Sequence, residues 1–221
     1  MMSVFEAMSM EEVGTLELLG EDSMVERVLR WAMIEQGSAG LSDSLGAHVL
    51  APSPPSQFIP GAAAVAGRAV LLRRERPPTG SRPPSSFQIL RRQVTPGCVV
   101  LVRCDPAIGA GFGSNVVLQA AACRAQAIVT DGAWRDTTRL HSVGLPVGGN
   151  GADPTKPAGC PFVVSDTEEM FGLTWRTGDW FLRDSDGVLR LDDDLARRTA
   201  SDFAASAIGE LEALLAPAEG P

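Results

Sequence analysis

The chain has 221 residues, and 44% of them are hydrophobic, which is enough for one large domain with a buried core. Its formal net charge of −8 opposes a broad electrostatic contact with nucleic acid or an anionic membrane. No stretch approaches the roughly 18 consecutive apolar residues of a membrane span, and the N-terminus is acidic rather than signal-like. We therefore expect a cytoplasmic protein that acts on a small molecule or binds a protein partner.

The side chains available for catalysis are few. The single lysine, Lys156, lies in an open glycine- and proline-rich loop, which disfavours the desolvation that a Schiff-base lysine needs. With only His48 and His141 and no tyrosine, one chain cannot assemble a three-histidine zinc site. Carboxylates, arginines and water must therefore provide most of any acid–base catalysis. A hard ion that binds oxygen ligands, such as Mg²⁺, suits these groups. The cysteines lack close metal-type spacing and are expected to be buried, reduced thiols: Cys98, Cys104, Cys123 and Cys160.

The first third of the chain predicts helices, a linker and one strand. Residues 11–36 have the apolar spacing of amphipathic helices with a break near Gly20. Ser42 or Asp43 is placed to cap a short helix. Residues 52–60 are predicted to form a proline-rich linker, and residues 64–72 a strand.

Next, a proline-rich loop over residues 77–84 precedes a helix over 85–93 and a core strand over 98–102. The segment over residues 105–115 is a glycine-rich loop, named here the glycine loop. It leads into an alanine-rich helix that Ser114 or Asn115 is placed to cap. Exposed N–H groups at such a helix start can bind a carboxylate or phosphate, although a plain strand-to-helix turn also explains the pattern. The loop matches neither a P-loop nor a dinucleotide-binding fingerprint.

The most informative motif is the segment over residues 131–136. The apolar residues 127–130 predict a buried strand, and Asp131-Gly132 ends it with a turn that exposes Arg135 and Asp136. Asp136 is suited to hold a divalent cation while Arg135 pairs with a substrate carboxylate, and the alternative is a surface ion pair. Trp134 would narrow the pocket, stack on a substrate or pack in a subunit contact.

The remaining segments predict a short helix, several short strands and a final helix. Residues 140–143 continue the short helix, and strands are predicted over 162–164, 173–175, 180–182 and 187–191 with antiparallel pairing. The turn from Asp184 to Gly187 lacks the later ligands of a calcium loop, so we predict a hairpin. A C-terminal helix begins after Asp192.

Several blocks occur in an order that resembles the RraA-like family, which includes the 4-hydroxy-4-methyl-2-oxoglutarate aldolases. The resemblance covers roughly Leu41 to Asp194. It implies an α/β fold, a β/β/α swivelling-type sandwich. Residues 1–40 and 195–221 lie outside the resemblance and are predicted from their apolar spacing to be helical extensions. The blocks are Leu41-Ser42-Asp43-Ser44-Leu45, Gly67-Arg68-Ala69-Val70, Thr95-Pro96-Gly97, Val129-Thr130-Asp131-Gly132-Ala133-Trp134-Arg135-Asp136, Gly144-Leu145-Pro146-Val147, and Thr177-Gly178-Asp179 through Asp184-Ser185-Asp186-Gly187-Val188.

The resemblance also implies a metal-dependent lyase that assembles as a homotrimer or homohexamer with active sites at subunit contacts. By analogy Asp136 ligates Mg²⁺ or Mn²⁺, Arg135 binds the pyruvyl part of the substrate, and both are catalytic. The N–H groups around the helix start would bind the substrate carboxylate: Gly113, Ser114, Asn115 and Val116. This chain departs from the family where Ser114 or Asn115 stands in place of an acidic residue, a change that predicts weaker cation binding or a different group for proton transfer.

Our leading hypothesis is a lyase that cleaves a 2-oxo acid such as 4-hydroxy-4-methyl-2-oxoglutarate or oxaloacetate through a pyruvate enolate. One alternative is a repurposed relative acting on another carbonyl or carboxylate substrate in a biosynthetic pathway. A second is a non-catalytic regulator of RNA degradation, since some family members are described as inhibitors of ribonuclease E. We expect no nucleic-acid or membrane partner.

Overall fold

The computed structural model describes residues 21–59, 64–157 and 159–215. The predicted helical residues before Glu21, including the break near Gly20, lie outside this part of the chain. Among the described residues, no helix is both long and apolar enough to cross a lipid bilayer.

The main sheet runs in the order β1, β5, β4, β3, β2, β9, β10, and β6 pairs with the C-terminal end of β2. Strands β2 to β5 are parallel neighbours, whereas β1, β6, β9 and β10 pair antiparallel. The strands are β1 (Gln57–Ile59), β2 (Val65–Arg74), β3 (Val99–Arg103), β4 (Ala127–Thr130), β5 (Val147–Gly149), β6 (Phe162–Val164), β9 (Trp180–Arg183) and β10 (Val188–Leu191).

Both faces of the parallel strands are buried, as the unbroken apolar runs predict. Along β3, Val100 and Val102 point to one layer and Val99 and Leu101 to the other, because side chains alternate along a strand. The first layer consists of three helices: α2 (Ser86–Gln93), α3 (Ser114–Ala122) and α4 (Thr137–Val143).

A two-stranded antiparallel ribbon covers the second face. It consists of β7 (Thr167–Met170) and β8 (Leu173–Arg176), and Trp175 packs from it against the sheet residues around Phe181. Ribbon, main sheet and helices therefore form three layers, and the predicted α/β class with β/β/α layers is confirmed.

Two longer helices cover the β9–β10 end of the sheet. Helix α1 (Glu21–Leu45) and helix α5 (Asp193–Leu215) bury Leu29, Met33 and Ala196 with Leu189 and Leu191. The described parts of the two predicted helical extensions therefore pack on the sheet. Helix α1 continues through residue 40, so no break in secondary structure marks the predicted boundary between the N-terminal extension and the domain. That boundary stays a prediction.

Two predictions near α1 are wrong. Ser42 and Asp43 do not cap a helix, because both lie in the last turn of α1. Helix α1 is interrupted at Gly37, whose φ of 67° breaks the helical geometry. The proline-rich stretch over residues 52–60 is also more than a linker, since it contains β1.

Arginine side chains attach α1 to the sheet. Arg30 donates from Nε to the Ala66 carbonyl at 3.0 Å and from Nη2 to the Gly97 carbonyl at 3.1 Å. Arg68 on β2 pairs with Glu26 of α1 at 2.6 Å and with Asp193 of α5 at 2.7 Å. These contacts orient both helices on one end of the sheet.

The predicted hairpin from Asp184 to Gly187 is confirmed, and Asp184 has a further contact. Its carboxylate accepts the backbone N–H and the hydroxyl of Ser38, at 2.5 and 2.6 Å, and the N–H groups of Asp186 and Gly187. Partial burial raises the pKa of Asp184, but these donors lower it by more, so the pKa lies below its usual value. The carboxylate thus joins α1, just after its break, to the β9–β10 turn.

Replacing Asp184 with alanine is expected to destabilise the fold by about 1 to 2 kcal/mol at pH 7, because hydrogen bonds to a carboxylate are lost. A lowered folded-state pKa stabilises the fold above the unfolded pKa and loses that effect as pH falls through the folded pKa. Urea unfolding should therefore show the difference at pH 7 and a smaller one below about pH 4. The matched control is Asp186→Ala in the same turn; an equal loss in both variants would contradict the assignment.

Candidate functional site

The site lies at the carboxyl edge of the parallel strands. The loop after β3 and the loop after β4 leave the same edge, since the two strands are parallel neighbours. Their backbones are hydrogen-bonded: the Gly111 N–H donates to the Ala133 carbonyl at 2.7 Å, and the Arg135 N–H donates to the Phe112 carbonyl at 3.0 Å. The glycine loop and the segment over residues 131–136 therefore form one unit.

A third segment fixes the same unit from the other side. The Trp134 N–H donates to the Gly151 carbonyl at 3.0 Å, and the Asp153 N–H donates to the Trp134 carbonyl at 2.7 Å. Trp134 thus forms parallel bridges to both Phe112 and Ala152. The long loop after β5 supports the backbone that carries Arg135.

Trp134 packs inside its own chain. Its side chain is 1% exposed, its ring nitrogen donates to Thr137 Oγ1 at 3.1 Å, and a Cβ on Gly149 would lie 2.9 Å from its ring. Of the three predicted roles for Trp134, the structure supports packing, and the ring packs against its own chain rather than in a subunit contact. Trp134 anchors the segment and does not stack on a substrate.

Asp136 turns its carboxylate toward the glycine loop. Its backbone is left-handed, with φ 66° and ψ 35°, and although it precedes α4 its side chain does not cap that helix. Instead, Oδ2 accepts the Ser114 N–H and the Ser114 hydroxyl, both at 3.1 Å, while Oδ1 accepts Arg135 Nε at 3.3 Å. The side chain remains 32% exposed, so a ligand can reach it.

The electrostatics favour an ionised Asp136. Slight burial raises its pKa, but the two donors of Ser114 and the charge of Arg135 lower it by more, so the pKa lies below the usual value for aspartate. At neutral pH the group is therefore a carboxylate, which is the form that binds a divalent cation.

Gly113 permits this close approach. A Cβ there would lie 2.6 Å from Asp136 Oδ2 and 2.7 Å from Arg135 Cγ. The φ of Gly113 is −143°, which any residue adopts, so space rather than backbone conformation requires glycine.

Ser114 and Asn115 do not cap α3 as predicted, since Gly113 holds the N-cap position without a side-chain bond. The buried Ser114 hydroxyl points to Asp136 instead. Asn115 is exposed on the first turn, and the Val116 N–H donates to the Gly113 carbonyl at 3.0 Å.

The Arg135 guanidinium is open to solvent on one side. Its side chain is 32% exposed, and neither Nη atom has a hydrogen-bond partner among the described residues. The exposed residues His48, His141 and Lys156 form no hydrogen bond to Asp136 in the described part of the chain. The structure thus brings together Gly113, Ser114, Arg135 and Asp136.

Asp131, the first residue of the motif, has a structural contact. Its carboxylate accepts Arg103 Nη1 at 2.5 Å and the Cys104 N–H at 2.8 Å, which joins the ends of β3 and β4. Burial raises its pKa, and the donors from Cys104 and Arg103 oppose that rise without cancelling it. None of the four cysteines is in a disulfide, and Cys98, Cys104 and Cys160 are buried.

Sequence interpretation missed Arg74. The predicted strand ends at Leu72, whereas β2 continues to Arg74, whose Nε donates to the Gly111 carbonyl at 2.7 Å. Alternation along the strand is the signal that would have found it, because Leu72 and Arg74 must point to the same layer.

A family model described as RraA-like (Aldolase/RraA) matches residues 38–190. The chain belongs to the RraA-like family. The family includes aldolase- and decarboxylase-type lyases, many of them Mg²⁺-dependent, as well as ribonuclease E inhibitors, and its members are typically oligomeric. No curated protein sequence matches the chain.

Solved structures share the fold at low identity. RraAS2 of Streptomyces coelicolor, described as an unusual member of the RNase ES inhibitor RraA protein family, has 20% identity and a TM-score of 0.67, covering 85% of this chain and 96% of its own. RraA of Thermus thermophilis, an RNA-processing inhibitor, has 25% identity and a TM-score of 0.54, covering 70% and 92%.

A third structure is described as S-adenosylmethionine: 2-dimethylmenaquinone methyltransferase of Geobacillus kaustophilus. It has 20% identity and a TM-score of 0.58, and the match covers 72% of this chain and 96% of that one. The functions described for these three structures differ, so the residues of the site rather than the shared fold must decide the function.

Proposed function

We propose that the chain is a divalent-metal-dependent lyase that cleaves a 2-oxo acid, such as oxaloacetate or 4-hydroxy-4-methyl-2-oxoglutarate, to a pyruvate enolate. The observation that carries the proposal is the pair formed by Asp136 and Arg135. An ionised, accessible carboxylate lies beside a guanidinium whose two Nη atoms have no partner among the described residues. A surface ion pair would not need the close approach of Gly113 or the Ser114 donors.

The residues fit an ion with few protein ligands rather than an ion surrounded by protein side chains. The described residues contain no group of three or more histidine, cysteine or acidic side chains that could hold a metal. Mg²⁺ commonly binds through one or two carboxylates and keeps water and substrate oxygens as its other ligands. Asp136 would therefore hold Mg²⁺ or Mn²⁺, and a bound ion supplies positive charge that stabilises an enolate oxygen.

The substrate carboxylate would pair with Arg135 through its two Nη atoms. The turn over Gly113, Ser114, Asn115 and Val116 would lie beside it. Because the Ser114 N–H donates to Asp136 and the Val116 N–H to Gly113, the N–H groups of Gly113 and Asn115 are the donors of this turn left to receive it.

The residues favour decarboxylation over retro-aldol cleavage. In decarboxylation the bond to the leaving carboxylate breaks, CO₂ departs, the electron pair forms the enolate, and a proton from water completes pyruvate. Retro-aldol cleavage additionally needs a base to take the proton of the substrate hydroxyl. Ser114 or Asn115 stands where the resemblance places an acidic residue of the family, so this chain has no second carboxylate there for that step.

The test is to measure pyruvate release by purified protein from oxaloacetate and from 4-hydroxy-4-methyl-2-oxoglutarate. We expect release that requires Mg²⁺ or Mn²⁺, exceeds the rate of the free ion, and is faster with oxaloacetate. Metal-independent release, or none from either substrate, would refute the lyase proposal.

Replacing Ser114 with aspartate is expected to tighten Mn²⁺ binding by about tenfold and to raise retro-aldol turnover relative to decarboxylation. The new carboxylate would lie beside Asp136 and supply both a ligand to bound water and a base. Ser142→Asp, on the exposed side of α4, adds the same charge as a control. Titration of Mn²⁺ by electron paramagnetic resonance measures the affinity, and unchanged affinity in Ser114→Asp would contradict the assigned geometry.

The rival function is a protein-binding regulator of RNA degradation, which the RraA descriptions of two similar structures favour. Retention of a stable complex with an RNA-degradation enzyme, together with no metal binding, would support that function instead. We further propose that the protein acts in the cytoplasm as a homotrimer or homohexamer, with its sites at subunit contacts.

A further inference from the structure

Arg74, the last residue of β2, lies between the glycine loop and the start of strand β6. Its Nε donates to the Gly111 carbonyl at 2.7 Å and its Nη1 to the Cys160 carbonyl at 2.9 Å. The guanidinium also stacks over the Phe162 ring, 3.7 Å from the ring centroid. No carboxylate among the described residues pairs with it.

Burial of the Arg74 guanidinium costs hydration free energy. Burial lowers the pKa of Arg74 to about 10, and no acidic side chain in the described part of the chain compensates for the lost hydration. The group still carries its charge at neutral pH, and charge-assisted donation to carbonyls is stronger than neutral hydrogen bonding. The strong hydrogen bonds of Arg74 therefore fix the backbone at its two acceptors, the carbonyls of Gly111 and Cys160.

The backbone of one acceptor, Gly111, is hydrogen-bonded through both its carbonyl and its N–H. Its carbonyl accepts Arg74, and its N–H donates to the Ala133 carbonyl of the Asp136 segment at 2.7 Å. A Cβ on Gly111 would lie 2.9 Å from Thr130 Oγ1, so the backbone is already pressed against the end of β4. Two residues later, Gly113 sets the distance between Ser114 and Asp136.

We propose that Arg74 is a positioning residue of the site: it holds the glycine loop against the segment that carries Arg135 and Asp136. It acts through the Gly111 carbonyl and does not touch the substrate. Its effect on turnover rests on the proposed lyase function, whereas its effect on the loop does not.

The test uses Arg74→Met, which keeps an apolar stem over Phe162 but removes both donors, and Arg74→Lys, which keeps the charge and can serve one carbonyl. The matched control is Arg73→Met, the neighbouring residue on the same strand, whose side chain is 45% exposed and pairs with Glu75. Hydrogen exchange measured by mass spectrometry reports on peptides over residues 109–117 and, for comparison, on those of β3 and β4. Steady-state kinetics give kcat and KM.

In Arg74→Met we expect exchange over residues 109–117 to rise by about tenfold while β3 and β4 are unchanged, as loss of local hydrogen bonds implies. Pyruvate release should fall by about tenfold in kcat/KM, with lysine partly restoring both readouts and Arg73→Met leaving them as in the wild type. Unchanged exchange in the loop, or an equal rise in every peptide, would overturn the proposal. If wild-type protein releases no pyruvate, the lyase proposal fails, and the exchange data alone decide the role of Arg74.

Discussion

Replacing Asp136 with asparagine is expected to abolish metal-dependent release of pyruvate, with a fall in turnover of about 10³-fold or more. Asp136 is the one carboxylate that we assign to the ion, and asparagine has no negative charge to hold it. Asparagine tolerates the left-handed backbone of this position, whose φ is 66°. It can also still accept from Ser114, so the fold should be retained.

Mn²⁺ titration and turnover should be measured on the same preparations of this variant. Asp153→Ala serves as the control, because Asp153 lies on the neighbouring loop and its side chain accepts from Thr155. If Asp136→Asn kept wild-type turnover, the role of Asp136 as metal ligand would be wrong. Loss of turnover with unchanged Mn²⁺ affinity would place the ion elsewhere.

Replacing Gly113 with alanine is expected to reduce turnover by about 10²-fold, since a displacement of about 1 Å in a reacting group has an effect of this size. The added Cβ would lie 2.6 Å from Asp136 Oδ2, so either the carboxylate or the turn must move. The extended backbone of Gly113 accepts alanine without strain, so the melting temperature should change little.

The matched control for Gly113→Ala is Gly40→Ala on α1, where the nearest atom to a new Cβ is Gln36 Cβ at 4.0 Å. That variant should keep full activity. Equal activity in the two variants would show that the contact between the glycine loop and Asp136 is not needed. A large drop in melting temperature for Gly113→Ala would show instead that the glycine serves the fold.

The layered fold was predictable from sequence because its core strands are short apolar runs with clear ends. The run over residues 127–130 is buried throughout and ends at Asp131-Gly132 as predicted. Strand β7 was missed because its sequence, Thr167–Met170, is polar and pairs only within a two-stranded ribbon. Strand β1 was missed because prolines precede it, whereas its pairing with β5 depends on a contact distant in sequence.

The site was predictable in part. Arg135 and Asp136 stand out in the sequence because a turn at the end of the buried strand must bring the next residues to the surface. The contact between Asp136 and Ser114, 22 residues apart, depends on two loops leaving the same edge of the sheet, and the left-handed backbone of Asp136 directs it. A local pattern suggested instead that Ser114 caps its own helix, since capping is the usual role of serine there.

The most direct test of the account is a crystal structure of the protein with Mn²⁺ and oxalate, a mimic of the pyruvate enolate, using anomalous scattering to locate the ion. We predict Mn²⁺ bound to an Asp136 oxygen and an oxalate carboxylate paired with the Nη atoms of Arg135. Mn²⁺ bound away from Asp136, or an Asp136 still joined to Ser114 and Arg135 with no ion at saturating Mn²⁺, would contradict it.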